Sequence, residues 1–214
     1  MLTIFLVQNA VLYGVIITSA KASGLIGARH ILMAEKYKIF LADPPWNYND
    51  KAAAGARGAS FKYPTLTLDE LGSLSVRGHL VRDLADDNSI LFLWSTFPMM
   101  PEALALCHLW GFKYKTLGFN WIKKNKSGSI FLGMGHYTRS NPEVCLIAVR
   151  GSPPIKDHSI SSVIFSERMR HSQKPAIHKL IERLCGRRKR IELFARARVA
   201  GWDYFGNQLV KSQP

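Results

Sequence analysis

The segment Asp43-Pro44-Pro45-Trp46 combines residue types that suit the binding of a planar amine. It follows residues 37–42, a mostly apolar or aromatic run typical of a buried β-strand that the two prolines terminate. In open α/β sheets, ligands bind beyond the carboxyl ends of the strands, which is where Asp43 falls. The Asp43 carboxylate and the Pro44 carbonyl are two acceptors on a stiff backbone, and the Trp46 indole is a flat apolar surface beside them. Together they suit a nucleobase that carries an exocyclic NH2 group.

The same four residues also have a purely structural interpretation. Asp-Pro-Pro sequences are common in turns, and a tryptophan that follows one often simply packs against the protein. Taken alone, the segment therefore leaves a plain turn and a base-binding site as alternatives.

Five further motifs follow this segment along the chain. They are Trp121-Ile122-Lys123, Glu143-Val144-Cys145-Leu146, His171-Ser172-Gln173-Lys174-Pro175, Arg190-Ile191-Glu192-Leu193-Phe194-Ala195-Arg196 and Gly206-Asn207-Gln208. In this order, the six motifs resemble the MT-A70-like family of S-adenosyl-L-methionine-dependent adenine-N6 methyltransferases. The resemblance covers roughly residues 37–209. It implies a Rossmann-like class I methyltransferase fold, in which a mostly parallel central sheet is flanked by helices.

The resemblance also implies which residues form the reaction centre and the cofactor site. The catalytic motif would be Asp43, Pro44, Pro45 and Trp46, and it precedes the cofactor motif in a circularly permuted order. The implied ligands of S-adenosylmethionine are Lys174, Phe194, Arg196, Asn207 and Gln208.

Two features of the sequence fit these cofactor roles. Pro175 suits the first turn of a helix that ends at Gly186, with Ser172 as a candidate cap. A helix N-terminus beside Lys174 would bind the methionine carboxylate. The amides of Asn207 and Gln208 suit ribose hydroxyls.

Residues 126–141 form a glycine-rich segment that we interpret as the target-recognition loop. A flexible loop with basic and aromatic side chains can follow a nucleic-acid strand and stack on its bases, and His136, Tyr137 and Arg139 are the candidates for these contacts. A plain hairpin loop is the alternative. The family motifs add Trp121, Lys123 and Glu143 as residues expected near the target adenosine.

The charge balance favours a polyanionic partner. Lysine and arginine number 29 against 15 acidic residues, which gives a formal net charge of +14. No acidic residue occurs between Glu102 and Glu143, whereas six basic residues do: Lys113, Lys115, Lys123, Lys124, Lys126 and Arg139. A solvated basic face is the alternative, but this one-sided span suits phosphate contacts.

Local patterns predict the elements that position these residues. Thr67 and Glu70 form a capping box that starts a helix running towards Leu84. Strands are predicted at residues 88–94, 112–124, 144–149 and 190–196, and a helix over residues 98–110. Strand 88–94, this helix and strand 112–124 form a predicted parallel βαβ unit.

The chain length suits one α/β domain. With 214 residues, 47% of them hydrophobic, the chain can bury a core of its own. We assign residues 33–214 to a single methyltransferase domain. Residues 1–32 are interpreted either as an apolar extension that methyl transfer does not require or as a segment outside the native protein, with Met33 as the natural start. The spacing of Cys107, Cys145 and Cys185 favours small buried side chains in a reducing cytosol over disulfides or a metal site.

Several functional alternatives stay open at this point. The short single-domain chain, which lacks an RNA-binding module such as a CCCH zinc finger, favours a bacterial or phage-type DNA enzyme over an RNA adenine methyltransferase. We expect it to be cytoplasmic, without stable membrane association. A catalytically silent nucleic-acid-binding subunit of the same fold is a second alternative, which the intact Asp43 motif and Lys174 argue against. A cytosine-N4 methyltransferase is a third alternative. It is less favoured, because such enzymes tend to have serine in place of Asp43 and tyrosine in place of Trp46.

Overall fold

A computed structural model describes residues 36–47, 65–135, 137–168 and 174–206 of the protein. The extension 1–32, the cap candidate Ser172 and the site candidates His136, Asn207 and Gln208 lie outside these ranges. Within them, no helix is long and apolar enough to cross a membrane.

A seven-stranded sheet organises the described part of the chain. Its strands are β1 (Tyr37–Ala42), β4 (Ala85–Ser95), β5 (Lys113–Lys124), β6 (Glu143–Arg150), β7 (Val163–Glu167), β8 (Arg190–Leu193) and β9 (Asp203–Phe205). They lie in the order β7-β5-β6-β4-β1-β8-β9, and neighbours are parallel except where β6 meets β4 and β5. A separate two-stranded hairpin pairs β2 (Ser75–Val76) with β3 (His79–Leu80). The predicted α/β fold with a mostly parallel sheet is confirmed.

In the part of the chain that the structure describes, four α-helices flank or connect these strands. They are α1 (Leu68–Gly72), α2 (Val81–Leu84), α3 (Met100–Leu109), which a 3₁₀ turn at Phe97–Met99 precedes, and α4 (His178–Cys185). The sheet is buried on both faces, so successive residues of β1 belong to different cores. Phe40 and Ala42 pack in the core that includes Leu106 of α3, whereas Ile39 and Leu41 pack in the core that includes Ile181 of α4.

The two strands of the predicted βαβ unit run parallel, as predicted, but they are not neighbours in the sheet. β4 and β5 are both antiparallel to β6, so they run parallel to each other on either side of it. The apolar pattern of residues 144–149 predicts a buried strand but does not show which neighbours it takes. Strand pairing is decided by contacts between distant parts of the chain, which a local pattern does not contain.

The capping box at Thr67 is confirmed, but the predicted helix is much shorter than expected. The Thr67 hydroxyl accepts the Glu70 backbone N–H at 3.3 Å, and the Glu70 carboxylate accepts the Thr67 N–H at 2.7 Å. The helix ends at Gly72, where the Ser73 hydroxyl donates to the Asp69 carbonyl. The β2–β3 hairpin then turns through Arg77 and Gly78, both at positive φ, so the prediction of a helix as far as Leu84 is wrong.

Two boundaries near the candidate site also differ from the prediction. α4 begins at His178 rather than at Pro175, but Gly186 terminates it as expected, as a C-cap with φ of +77°. β8 ends at Leu193 rather than at Arg196, because Phe194 takes a left-handed backbone conformation with φ of +62°. β7 and β9 were not predicted, since both are short and of mixed polarity.

The three cysteines are buried free thiols, as the spacing predicts. Burial raises the pKa of the Cys107 thiol to about 12 and that of Cys185 to about 11. These thiols therefore stay protonated and act as small apolar side chains.

Gly206→Ala is expected to destabilise the junction of β8 and β9. A Cβ atom at Gly206 would lie 2.5 Å from the Ala195 carbonyl oxygen and 2.7 Å from the Ala195 nitrogen. Backbone cannot move aside cheaply, so we expect a loss of about 1–3 kcal/mol in the free energy of unfolding, measured by urea denaturation.

Gly72→Ala is the matched control, because its Cβ would mainly meet the flexible Leu109 Cδ1 methyl at 2.8 Å. It should stay within about 1 kcal/mol of the wild-type protein. Equal losses in the two variants would contradict the close approach at Gly206.

Candidate active site

The strand order brings the ends of several strands to one edge of the sheet. β1 and β8 are parallel neighbours in which Ala42 faces Leu193, so Asp43 and Phe194 leave the sheet side by side. β6 is antiparallel to β4, with Val144 opposite Ser95, so its first residue, Glu143, reaches the same edge. This is the carboxyl edge of the parallel strands, where α/β enzymes bind ligands.

Five charged side chains meet at this edge and form what we call the charge cluster: Asp43, Lys123, Glu143, Lys174 and Arg196. Lys174 Nζ lies 3.3 Å from Asp43 Oδ1 and also pairs with Glu143 Oε2. Lys123 Nζ lies 2.5 Å from Glu143 Oε1, and Arg196 Nη2 lies 3.7 Å from Asp43 Oδ2. The side chain of Glu143 is only 7% exposed and that of Lys174 only 16%. Buried charges of this kind are costly unless they are paired.

The two carboxylates of the cluster have opposite pKa shifts. Burial raises the pKa of Asp43 above its ordinary value of 3.8, and this outweighs the opposing effects of Lys174 and Arg196. Burial also acts to raise the pKa of Glu143, but Lys174 and Lys123 outweigh it and hold that pKa below 4.5. Glu143 is therefore the firmly ionised member, and Asp43 is the one whose charge state changes more easily.

Lys174 is held by carboxylates rather than by a helix terminus. Burial acts to lower the pKa of Lys174, but Asp43 and Glu143 outweigh it and raise that pKa above its ordinary value. Because α4 begins only at His178, the prediction that Lys174 stands at a helix N-terminus is wrong. The lysine instead bridges β1 and β6 and lies 5.8 Å from the centre of the Trp94 ring.

The Asp-Pro-Pro-Trp segment is held in place by backbone bonds. The Pro44 carbonyl accepts the Trp46 N–H at 2.9 Å, and the Pro45 carbonyl accepts the Leu66 N–H at 2.9 Å. The Trp46 indole is 5% exposed, and its Nε1–H donates to the Trp94 carbonyl at 3.1 Å. The ring packs in the core beneath the site, and stacking of a base on it stays a prediction.

Trp121 is placed in the core rather than on the surface. It is fully buried, and its Nε1–H donates to the Ser166 hydroxyl of β7 at 2.7 Å. In this structure it joins β5 to β7 and supports its neighbour Lys123, so the structure gives it no exposed face for a substrate. Lys123 itself belongs to the charge cluster through Glu143.

In the described residues of the predicted recognition loop, the Tyr137 ring is freely exposed and Arg139 braces the loop. Tyr137 is fully exposed. The Arg139 guanidinium donates to the carbonyls of Gly133 and Leu132 at 2.7 and 3.0 Å, so it shapes the loop. The structure brings neither residue into the charge cluster.

Asn141 is a residue of this site that the sequence interpretation missed. It is buried, accepts the Lys123 N–H through Oδ1 at 3.0 Å and donates to the Lys123 carbonyl through Nδ2 at 2.9 Å. It also donates to the Phe131 carbonyl and so connects the loop to the charge cluster. An asparagine two residues before Glu143 was the available signal, but asparagine is equally common in turns.

Comparison with known proteins places the chain in a family. A family model described as MT-A70 matches residues 37–208. The chain belongs to the MT-A70 family. The family resemblance of the six motifs is thereby confirmed, and the matched range contains the whole charge cluster.

Individual MT-A70 relatives differ in how much of their length they share with the chain. Type II methyltransferase M.MunI from Mycoplasma sp is 34% identical and matches over 83% of this chain and 80% of its own. The human N(6)-adenosine-methyltransferase catalytic subunit METTL3 is 31% identical over 81% of this chain but only 28% of its own length. An MT-A70-like N(6)-adenosine-methyltransferase of Arabidopsis thaliana is 29% identical, with 81% and 24% coverage.

Trp121→Phe tests whether the buried indole is structural. The variant loses the bond to Ser166, and we expect the free energy of unfolding to fall by about 1–3 kcal/mol while oligonucleotide affinity stays within about twofold. Urea denaturation and fluorescence anisotropy with a labelled oligonucleotide measure the two quantities.

Tyr137→Ala is the contrasting variant, because its ring is fully exposed. It should leave stability unchanged and weaken oligonucleotide binding. Weaker binding by Trp121→Phe at unchanged stability would contradict the structural role.

Proposed function

We propose that this MT-A70 protein transfers the methyl group of S-adenosylmethionine to the N6 amine of adenine in nucleic acid, with DNA as the favoured substrate. The observation that carries the proposal is the position of Asp43, a largely buried carboxylate with a raised pKa that directly follows β1 beside the end of β8. The relatives named as N(6)-adenosine-methyltransferases support adenine N6 as the acceptor.

The residues at the sheet edge fit S-adenosylmethionine, which supplies a methyl group on a positively charged sulfur and carries a carboxylate of its own. Among the described residues, the charge cluster combines three cations with two carboxylates, so an anionic ligand group would find cationic side chains at this edge. Lys174 and Arg196 are the cations beside Asp43 and would hold the ligand carboxylate. Phe194 follows β8 directly, and the roles of Asn207 and Gln208 at the ribose stay predictions.

The acceptor amine would be held by Asp43 and by the Pro44 carbonyl. A carbonyl oxygen has two lone pairs, and the Trp46 N–H uses one of those on Pro44. The Asp43 oxygens lie 3.3 and 3.7 Å from their cationic partners, which leaves acceptor positions for an N–H donor. The two N–H groups of an adenine amine would then face two fixed acceptors.

Asp43 would act mainly by positioning and by electrostatics. An ionised Asp43 accepts an N–H bond, turns the nitrogen lone pair towards the methyl group and stabilises the positive charge that develops on N6. On transfer, the bond between the methyl carbon and the sulfur would break, a neutral thioether would leave, and N6 would then lose its extra proton to water. Glu143 holds Lys174 in place, and Lys123 neutralises Glu143, so these residues position the groups that face the reactants.

The alternatives are an RNA adenine-N6 methyltransferase and a catalytically silent nucleic-acid-binding subunit. DNA is favoured because the relative that the chain matches over most of its length is a type II methyltransferase, whereas METTL3 is matched over 28% of its own length. A catalytically silent nucleic-acid-binding subunit would not need the complete charge cluster. A titration with S-adenosylmethionine separates that alternative from an enzyme.

Asp43→Asn should abolish most of the turnover while retaining the cofactor. The amide has the same shape but lacks the negative charge, so we expect methyl transfer to fall by about 10²-fold or more. Labelled S-adenosylmethionine with unmodified DNA or RNA oligonucleotides measures the rate, and the modified base is identified after digestion.

The control is Asp69→Asn on the exposed first turn of α1, which should leave the rate unchanged. The affinity of Asp43→Asn for S-adenosylmethionine, measured by calorimetry, should stay within a few-fold. A near-normal rate in Asp43→Asn would refute the proposed role.

The rate of methyl transfer should fall on the acidic side of its pH profile, and the fall should occur at a higher pH than an ordinary aspartate would give. Only ionised Asp43 carries the negative charge that stabilises the positive charge developing on N6, and its pKa is raised above 3.8 by burial. Turnover is therefore present above this raised pKa and disappears as the pH falls through it. Lys174→Gln removes a cation that lowers the Asp43 pKa, so its acidic fall in turnover at saturating ligands should move to still higher pH. A fall that stays in place or moves to lower pH would contradict this assignment.

A further inference from the structure

A basic cleft lies at the sheet edge opposite the charge cluster. It has a volume of about 660 Å³ and is lined by Lys38, Asn88, Ser152, Pro154, Arg187, Arg188 and Lys189. Four of these residues carry positive charge, and none carries negative charge. The volume lies in the range typical of small-ligand sites.

The cleft is built from the starts of parallel strands. Lys38 is the second residue of β1, and residues 187–189 lead directly into β8. Asn88 lies in the first half of β4, and Ser152 follows the end of the antiparallel β6. Five residue steps along β1 separate Lys38 from Asp43, which at about 3.3 Å per residue is a distance of about 17 Å.

The walls of the cleft are fixed by backbone contacts. The Lys189 carbonyl accepts the Lys38 N–H at 2.8 Å, which ties the basic turn to β1. The Asn88 side chain accepts the Ser152 N–H at 2.9 Å, and Gly151, with φ of +60°, presses that turn against β4. These contacts therefore hold the backbone that bears the positive side chains in a fixed arrangement.

The existing ion pairs leave the cleft able to take an anion. Lys38 pairs with Asp86 at 3.4 Å, Arg187 with Glu182 at 3.3 Å and Lys189 with Asp203 at 3.5 Å. The Arg187 side chain is 81% exposed, and exposed pairs of this kind contribute little stability, so a stronger acceptor can replace the carboxylate. Arg188 has no carboxylate partner within the part of the chain that the structure describes.

We propose that this cleft is a second binding site, specific for phosphate groups and separate from the active site. Two adjacent arginines supply planar donor groups that match phosphate oxygens, and two lysines add point charges. The phosphates can come from a nucleic-acid backbone or from a free polyphosphate, since both present the same oxygens. Neither source requires methyl transfer, so this proposal does not depend on the proposed function and is tested independently of it.

Arg188→Gln tests the site, with Arg82→Gln on α2 as the matched control. Each variant loses one guanidinium, which is partly exposed in Arg188 and exposed in Arg82. Arg82 does not line the cleft. The probes are inorganic pyrophosphate, followed by calorimetry, and a labelled single-stranded oligodeoxynucleotide, followed by anisotropy. We expect Arg188→Gln to weaken at least one probe by about tenfold, and Arg82→Gln to stay within about twofold.

The two probes identify the source of the phosphate. Loss of pyrophosphate affinity alone points to a free polyphosphate, whereas loss of oligonucleotide affinity, with a salt slope reduced by about 0.7, points to the nucleic-acid backbone. Methyl transfer at saturating ligands should be unchanged in Arg188→Gln.

Lys38→Gln replaces Arg188→Gln if thermal unfolding shows that the latter is not folded. Equal affinities of the cleft variant and Arg82→Gln for both probes would overturn the proposal.

Discussion

The buried ion pairs between Asp43, Lys174 and Glu143 are the interaction on which the candidate site depends. Each of these side chains is largely withdrawn from water, and a charge in that position is tolerated only with a partner. The pairs connect β1, β6 and the segment before α4, so the arrangement of the reactive edge and the packing of the sheet support each other. Breaking a buried pair leaves an uncompensated charge, which costs far more than the loss of an exposed pair.

The antiparallel strand β6 makes this cluster possible. A sheet with only parallel strands would place the start of a strand at the amino edge, away from Asp43. Because β6 runs in the opposite direction between β4 and β5, its first residue, Glu143, lies at the carboxyl edge. One reversed strand therefore supplies the second carboxylate of the cluster, and Asn141, just before it, connects the neighbouring loop to Lys123.

The two edges of the sheet carry different electrostatic environments. At the carboxyl edge, cations and carboxylates alternate in a buried network that tunes the pKa of Asp43. At the amino edge, the positive charges lie on an open cleft, where the side chains of Lys38, Arg187 and Lys189 are 38%, 81% and 35% exposed. Part of the net positive charge of the chain is thus concentrated far from the reaction centre, where it can bind phosphate without disturbing the cluster.

The amino-acid sequence by itself determined the bounds of β1, the capping box at Thr67, the end of α4 at Gly186 and the membership of the MT-A70 family. These depend on residues close together in the chain, or on ordered motifs, and both can be seen in one sequence. Only the tertiary structure decided that β6 lies between β4 and β5, that Trp46 and Trp121 are buried, and that Lys174 pairs with carboxylates instead of capping a helix. The physical reason is that burial, strand adjacency and ion pairing arise between residues that are distant in sequence, and a local pattern holds no information about which of them meet.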